Sequence, residues 1–101
     1  MNDSARTAAL RDLRRIPGVG RAVADDLWRL GIRRVADLRG RDPQALYDAL
    51  CVDQGMHVDR CMLYTFRCAV YFASEETHDP ELLRWWSWKD GGVAFAKGAS
   101  C

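Results

Sequence analysis

Leu13-Arg14-Arg15-Ile16-Pro17-Gly18-Val19-Gly20-Arg21-Ala22-Val23-Ala24-Asp25-Asp26-Leu27 decides the fold of this chain. Ala9, Leu10, Leu13 and Ile16 form one apolar stripe at helical spacing, with arginines on the other side. Pro17-Gly18 stops that helix, because proline lacks the backbone donor and biases the residue before it away from helical dihedrals. A second helix resumes at about Arg21 and runs to Leu30, burying Val23, Ala24, Leu27 and Trp28, and Gly31 caps its end. The result is a tight helical hairpin with two glycines around Val19. Glycine lets such a turn take unusual dihedrals and keeps a Cβ out of the way of an approaching group. The free amides that open the next helix, reinforced by its dipole, suit an anion.

Outward from the hairpin the chain continues to read as helix. The first helix starts at an Asp3 or Ser4 cap and runs to Arg15. Ile32, Val35 and Leu38 place a short helical turn that Gly40 ends, and Asp42-Pro43 opens a helix to about Cys51. Twelve of the sixteen residues at 58–73 are apolar, so this helix must be central or at an interface. Asp79-Pro80 opens a last short helix through Leu82, Leu83, Trp85 and Trp86, expected to close over the central helix as a lid. No segment alternates as a strand would. We therefore expect an all-α fold: one compact domain of five to six helices over residues 1–90, with 91–101 a disordered tail. A weak repeat at 37 residues sets Leu13, Gly18, Ala24 and Leu27 opposite Leu50, Gly55, Cys61 and Tyr64, so the hairpin could be the first of a degenerate tandem pair; a chance match is the alternative.

At 101 residues there is room for one core, and 49% hydrophobic with 29% charged residues is an ordinary globular composition. No apolar run is long enough for a membrane span, and the first residues lack the apolar stretch of a secretory signal, so a cytoplasmic, soluble chain is expected. The net charge of +1 hides a polarity. Residues 1–41 carry ten arginines against five aspartates, and residues 42–101 carry five basic against nine acidic groups. An arginine-rich half suits phosphates, since guanidinium pairs with them bidentately; a merely solvated helix surface is the alternative.

The quoted stretch resembles the helix-hairpin-helix motif of DNA-binding proteins, in its apolar anchors Leu13, Ile16 and Leu27, its small Ala24 and its Gly18-Val19-Gly20 turn. That resemblance implies that amides near Gly18, Val19, Gly20 and Arg21 hold a DNA phosphate, reading backbone and not sequence. Arg14, Arg15, Arg33 and Arg34 complete the implied DNA-binding set. Ala22 stands where many such hairpins have Lys or Arg, and Arg21 is one position earlier. Carbonyls around Arg14, Ile16 and Val19 match positions where some relatives hold a monovalent cation; no other cofactor is expected. A broader resemblance runs from residue 10 to 90, through Gly40-Arg-Asp-Pro-Gln-Ala-Leu-Tyr47, Val58-Asp-Arg-Cys61, Phe66-Arg-Cys-Ala-Val-Tyr71 and Trp85-Trp-Ser-Trp-Lys-Asp90. These look like the small bacterial pathogenicity-locus family, whose members are often labelled mitomycin resistance proteins. The resemblance implies a helical DNA-binding module without an established activity.

Cys51, His57, Cys61 and Cys68 lack the paired spacing that structural zinc prefers, and Cys61 and Cys68 are expected as buried core thiols. Asp25 and Asp26 lie inside the second helix with no lysine near, so catalysis is not expected. The main alternative to DNA binding is a protein-interaction or homodimerisation module, with a purely structural hairpin and apolar contacts from 58–73 and the tryptophans.

Overall fold

The computed structural model describes residues 3–92 and 94. Four α-helices and three single 3-10 turns make up the regular structure among these residues, and no strand occurs. The fold is all-helical, with a Cα radius of gyration of 13.1 Å that suits a packed chain of this length. The expected five to six helices reduce to four, because the short elements at Val35–Leu38, Pro80–Leu83 and Trp85–Trp88 close only one 3-10 turn each.

Helix α1 spans Asp3–Leu13, so both residues expected as caps lie inside it, and it ends two residues earlier than predicted. Its end tightens instead of breaking: Arg15 and Ile16 donate to the carbonyls of Asp12 and Leu13, three residues back. Helix α2 spans Arg21–Arg29 and buries Ala24 and Leu27 against α1. The amides of Gly31 and Ile32 then bond back to Trp28 and Leu27, a Schellman cap built on the left-handed Gly31. Asp12, on α1, accepts from the Val35 amide at 2.8 Å and so ties the first helix to the turn beyond the second.

Helix α3 spans Pro43–Gln54, with the Asp42 carboxylate accepting from the Gln44 amide at 2.9 Å as the Asp-Pro signal predicts. It runs three residues past Cys51, because the left-handed Gly55 and not Cys51 ends it. Helix α4 spans Cys61–Ser74 and occupies the centre, burying Leu63, Thr65, Phe66, Cys68, Ala69, Val70 and Ala73. It starts three residues later than expected, at the Asp59 carboxylate, which accepts from the Cys61 amide at 2.9 Å. That late start exposes Cys61, against the expectation of a buried thiol. It also divides the 37-residue repeat. Leu13 and Leu50 are both fully buried and Gly18 and Gly55 both left-handed, yet Ala24 lies in the fourth position of its helix and Cys61 in the first.

The tryptophan segment covers α4, but not as a helix. Two 3-10 turns meet at an extended Arg84, and their three-residue period sets Leu82, Trp85 and Trp88 on one side. Trp88 is fully buried beside Cys68 and Leu82 and donates its Nε1 hydrogen to the Leu82 carbonyl at 2.8 Å. Trp86, expected to join the lid, falls on the other side and is 52% exposed. Arg60 and Arg67 clamp Asp90 at 2.8 and 3.0 Å, and Ala94 is fully buried against the Trp88 cluster. Packing thus continues past residue 90; of the expected tail, residues 93 and 95–101 lie outside the described ones. No helix among the described residues is long and apolar enough to cross a membrane.

Candidate nucleic-acid interface

The turn between α1 and α2 is fixed from inside. Ile16 and Val19 are buried in the main core, and the Val19 amide donates to the Ile16 carbonyl at 3.1 Å. Gly18 takes φ +85°, and a Cβ on it would stand 3.2 Å from Cδ1 of Trp85. Gly18 is therefore required by the fold itself. Gly20 is different: it has φ −92° and ψ −168°, ordinary extended backbone, and a Cβ there would meet nothing within 4 Å. Nothing inside the protein demands glycine at that position.

Gly20 is the N-cap of α2 and offers no side chain to its first amides. Of the amides that the helix-hairpin-helix resemblance assigns to phosphate, Val19's is spent on Ile16, while those of Gly18, Gly20 and Arg21 donate no bond among the described residues. An uncapped helix start of this kind carries unsatisfied donors and the positive end of the helix dipole. Of the three carbonyls assigned to a monovalent cation, that of Ile16 accepts the Val19 amide, and those of Arg14 and Val19 accept none among the described residues.

A shallow cleft of about 210 Å³ opens beside this helix start, lined by Thr7, Leu10, Arg11, Arg14 and Arg21. All three arginines are exposed, and none makes an ion pair or hydrogen bond through its side chain among the described residues. The fold brings together Arg14 and Arg21 of the predicted set and adds Arg11, which sequence reasoning missed. Its signal was there to find: Arg11 in the last turn of α1 and Arg14 just past its end, whose amide still bonds back to Leu10, are three apart and so share a face.

The other predicted arginines are occupied or elsewhere. Arg15 pairs with Asp12 at 2.6 Å. That aspartate is held below the usual carboxylate range by the Val35 amide first and by Arg15 second. Arg33 stacks on the Trp28 ring at 3.6 Å, and Arg34 reaches Asp37 at 3.6 Å. Arg33 and Arg34 line a separate cleft of about 540 Å³ with Ala5, Ala8, Ala9, Asp12 and Trp28. At about 100° per residue, the α1 residues of the two clefts lie on opposite flanks of that helix.

Asp25 and Asp26 are engaged in structure. Asp25 pairs with Arg6 and approaches Arg29 at 3.7 Å, and Asp26 accepts from Gln54 at 3.3 Å. Burial raises the Asp26 carboxyl above its usual range. Among the described residues no three His, Cys, Asp or Glu side chains gather closely enough to hold a metal ion. Cys68 is a core thiol that burial pushes up to about 12.

A family model described as "Pathogenicity locus" matches residues 6–92. The chain belongs to this family. The match takes in every described helix but the first residues of α1, and with them the turn, the arginine cleft and the tryptophan segment. The chain is also 42% identical over 59 residues to the mitomycin resistance protein McrB of Streptomyces lavendulae. That alignment covers 58% of this pathogenicity-locus chain and 56% of the relative, so the chain spans little more than half of the protein it resembles. No solved structure matches it.

Proposed function

We propose that this pathogenicity-locus protein is a DNA-binding module that grips the phosphate backbone without reading sequence, using its first two helices as a helix-hairpin-helix. One observation carries the reading: three unpaired arginines, Arg11, Arg14 and Arg21, surround one cleft at the uncapped start of α2. Guanidinium groups and free helix amides are complementary to the same ligand, a phosphate. The open space at Gly20 supports it further, since a phosphate can approach the backbone there unhindered. Arg15, Arg33 and Arg34 are given a lesser part because each already has a partner. Contacts of this type go to phosphate oxygens and carry no base information. We read the chain's role as binding and not catalysis: the cleft's one hydroxyl, Thr7, has no acid or base beside it in the lining.

The test is fluorescence anisotropy on a labelled duplex at two salt concentrations, about 50 and 200 mM. Phosphate binding weakens steeply with salt, by a power close to the number of phosphates neutralised. Arg14→Glu with Arg21→Glu should abolish binding while circular dichroism stays helical. Parental binding by this pair would reject the cleft.

A second reading has its own support. Val52 and Met56, at the end of α3, are 82% and 61% exposed, an apolar pair that would suit a protein partner or a second copy of this chain. Association through it would be nearly indifferent to salt, and sedimentation of a Val52→Asp variant separates it from DNA binding.

A further inference from the structure

Trp86 has no place in the core that its neighbours build. The three-residue period of the 3-10 turns takes Leu82, Trp85 and Trp88 inward and leaves the Trp86 indole outside, 52% exposed. It is not far from the phosphate cleft's turn. Its ring lies edge-on to that of Trp85, with centroids 5.7 Å apart and planes at 89°. Trp85 in turn rests on Gly18, 3.2 Å from where a Cβ would stand. Two contacts therefore carry the exposed indole to the turn that precedes α2. Arg84 and Lys89 flank the segment, both exposed, and neither makes an ion pair among the described residues. An exposed aromatic ring flanked in sequence by cations, and joined by two contacts to the turn that leads into the arginine cleft, is the composition of a single-strand stacking platform and not of a surface facing a basic or neutral protein.

Resting on the phosphate-binding reading above, we propose that Trp86 stacks an unpaired base, so that the ligand is DNA with a single-stranded portion next to the strand held at the Arg11–Arg14–Arg21 cleft. Trp86 reads the face of a base and is tolerant of its identity, because every base offers a π surface. Trp85 is a positioning residue: it fixes the tryptophan segment on Gly18 and so sets where the exposed ring stands relative to the bound phosphate.

The experiment compares a blunt duplex, the same duplex with a single-stranded tail, and a mixed-sequence single strand, by anisotropy at low salt. The parent protein should bind the tailed and single-stranded forms on the order of tenfold more tightly than the blunt duplex, the gain of one stacked base. Trp86→Ala should lose that preference and leave blunt-duplex binding and the melting temperature unchanged, while Trp86→Phe should keep most of it. Equal affinity of the parent for all three forms, or an unchanged preference in Trp86→Ala, overturns the proposal and leaves phosphate binding standing. Failure of the parent to bind any of the three overturns both.

Discussion

Cδ1 of Trp85 lies 3.2 Å from the point where Gly18 would carry a β-carbon, so residues 67 positions apart share one contact between the first turn and the last. Gly18→Ala meets two obstacles there. Its φ of +85° disfavours any L side chain by about 1–2 kcal/mol, and the new methyl must push Trp85 aside. We expect a fall in melting temperature of roughly 5–15 °C and a changed tryptophan emission spectrum. A melting curve like the parent's would show that the turn relaxes freely.

Gly20 gives the opposite expectation. Its extended backbone and empty surroundings accept a side chain, so Gly20→Glu should fold with stability within about 1 kcal/mol of the parent. DNA affinity should nonetheless drop at least about tenfold, because a carboxylate would then stand where the phosphate approaches. Thermal melting and anisotropy on the same sample check both halves, and retained affinity would move the contact to another basic face.

The tryptophans should separate sharply by burial. Trp88→Ala removes a fully buried ring and leaves the Leu82 carbonyl with only the weak Cys68 thiol donor at 3.5 Å, a loss of about 3–5 kcal/mol. Trp86→Ala, on the exposed side of the same turn, should change stability by less than about 0.5 kcal/mol. Ending the chain before Asp79 should unfold or aggregate it, whereas ending it after Gly91 uncovers Ala94's site and costs about 1 kcal/mol. Urea titrations of the four variants give the ranking.

Asp12 makes stability depend on pH. Its folded pKa lies below the ordinary value of 3.8, so its contribution is complete above that value and is lost as the pH falls through the lowered one. Asp12→Asn keeps an oxygen for the Val35 amide and should flatten the melting temperature between about pH 5 and pH 2.5. Asp12→Ala leaves that amide unsatisfied and should cost about 1–3 kcal/mol at neutral pH. A variant series with parallel pH profiles would remove Asp12 from the acid transition.

Thiol chemistry should follow the helix register of α4. Cys61, exposed at its first position, should react with a maleimide before denaturation, slowed by Asp59, which raises its pKa. Cys68, fully buried, should react only after unfolding. A Cys101→Ser background and mass spectrometry resolve the two, and early modification of Cys68 would mean that the lid opens readily.

What the sequence determined by itself is local. The Asp42-Pro43 and Asp79-Pro80 caps, the glycine end at Gly31, the start of α2 and the all-helical class follow from backbone rules that need only near neighbours. The apolar richness of 58–73 likewise announced that α4 would be central or at an interface, and the structure places it at the centre. The tertiary structure decided everything that depends on which surfaces meet. It chose 3-10 turns over a final helix, because a three-residue period buries Leu82, Trp85 and Trp88 on α4 together and puts Trp86 outside. It sorted ten arginines of similar sequence context into paired and unpaired ones, leaving Arg11, Arg14 and Arg21 around one cleft while aspartates from other elements, such as Asp53 for Arg29, took some of the rest. And it gave the two glycines of one turn different reasons to exist, Gly18 answering to Trp85 from the far end of the chain and Gly20 to nothing inside the molecule. Periodicity and capping act over a few residues of chain; side-chain partners and steric clashes are set by distances in space that no short stretch of sequence contains.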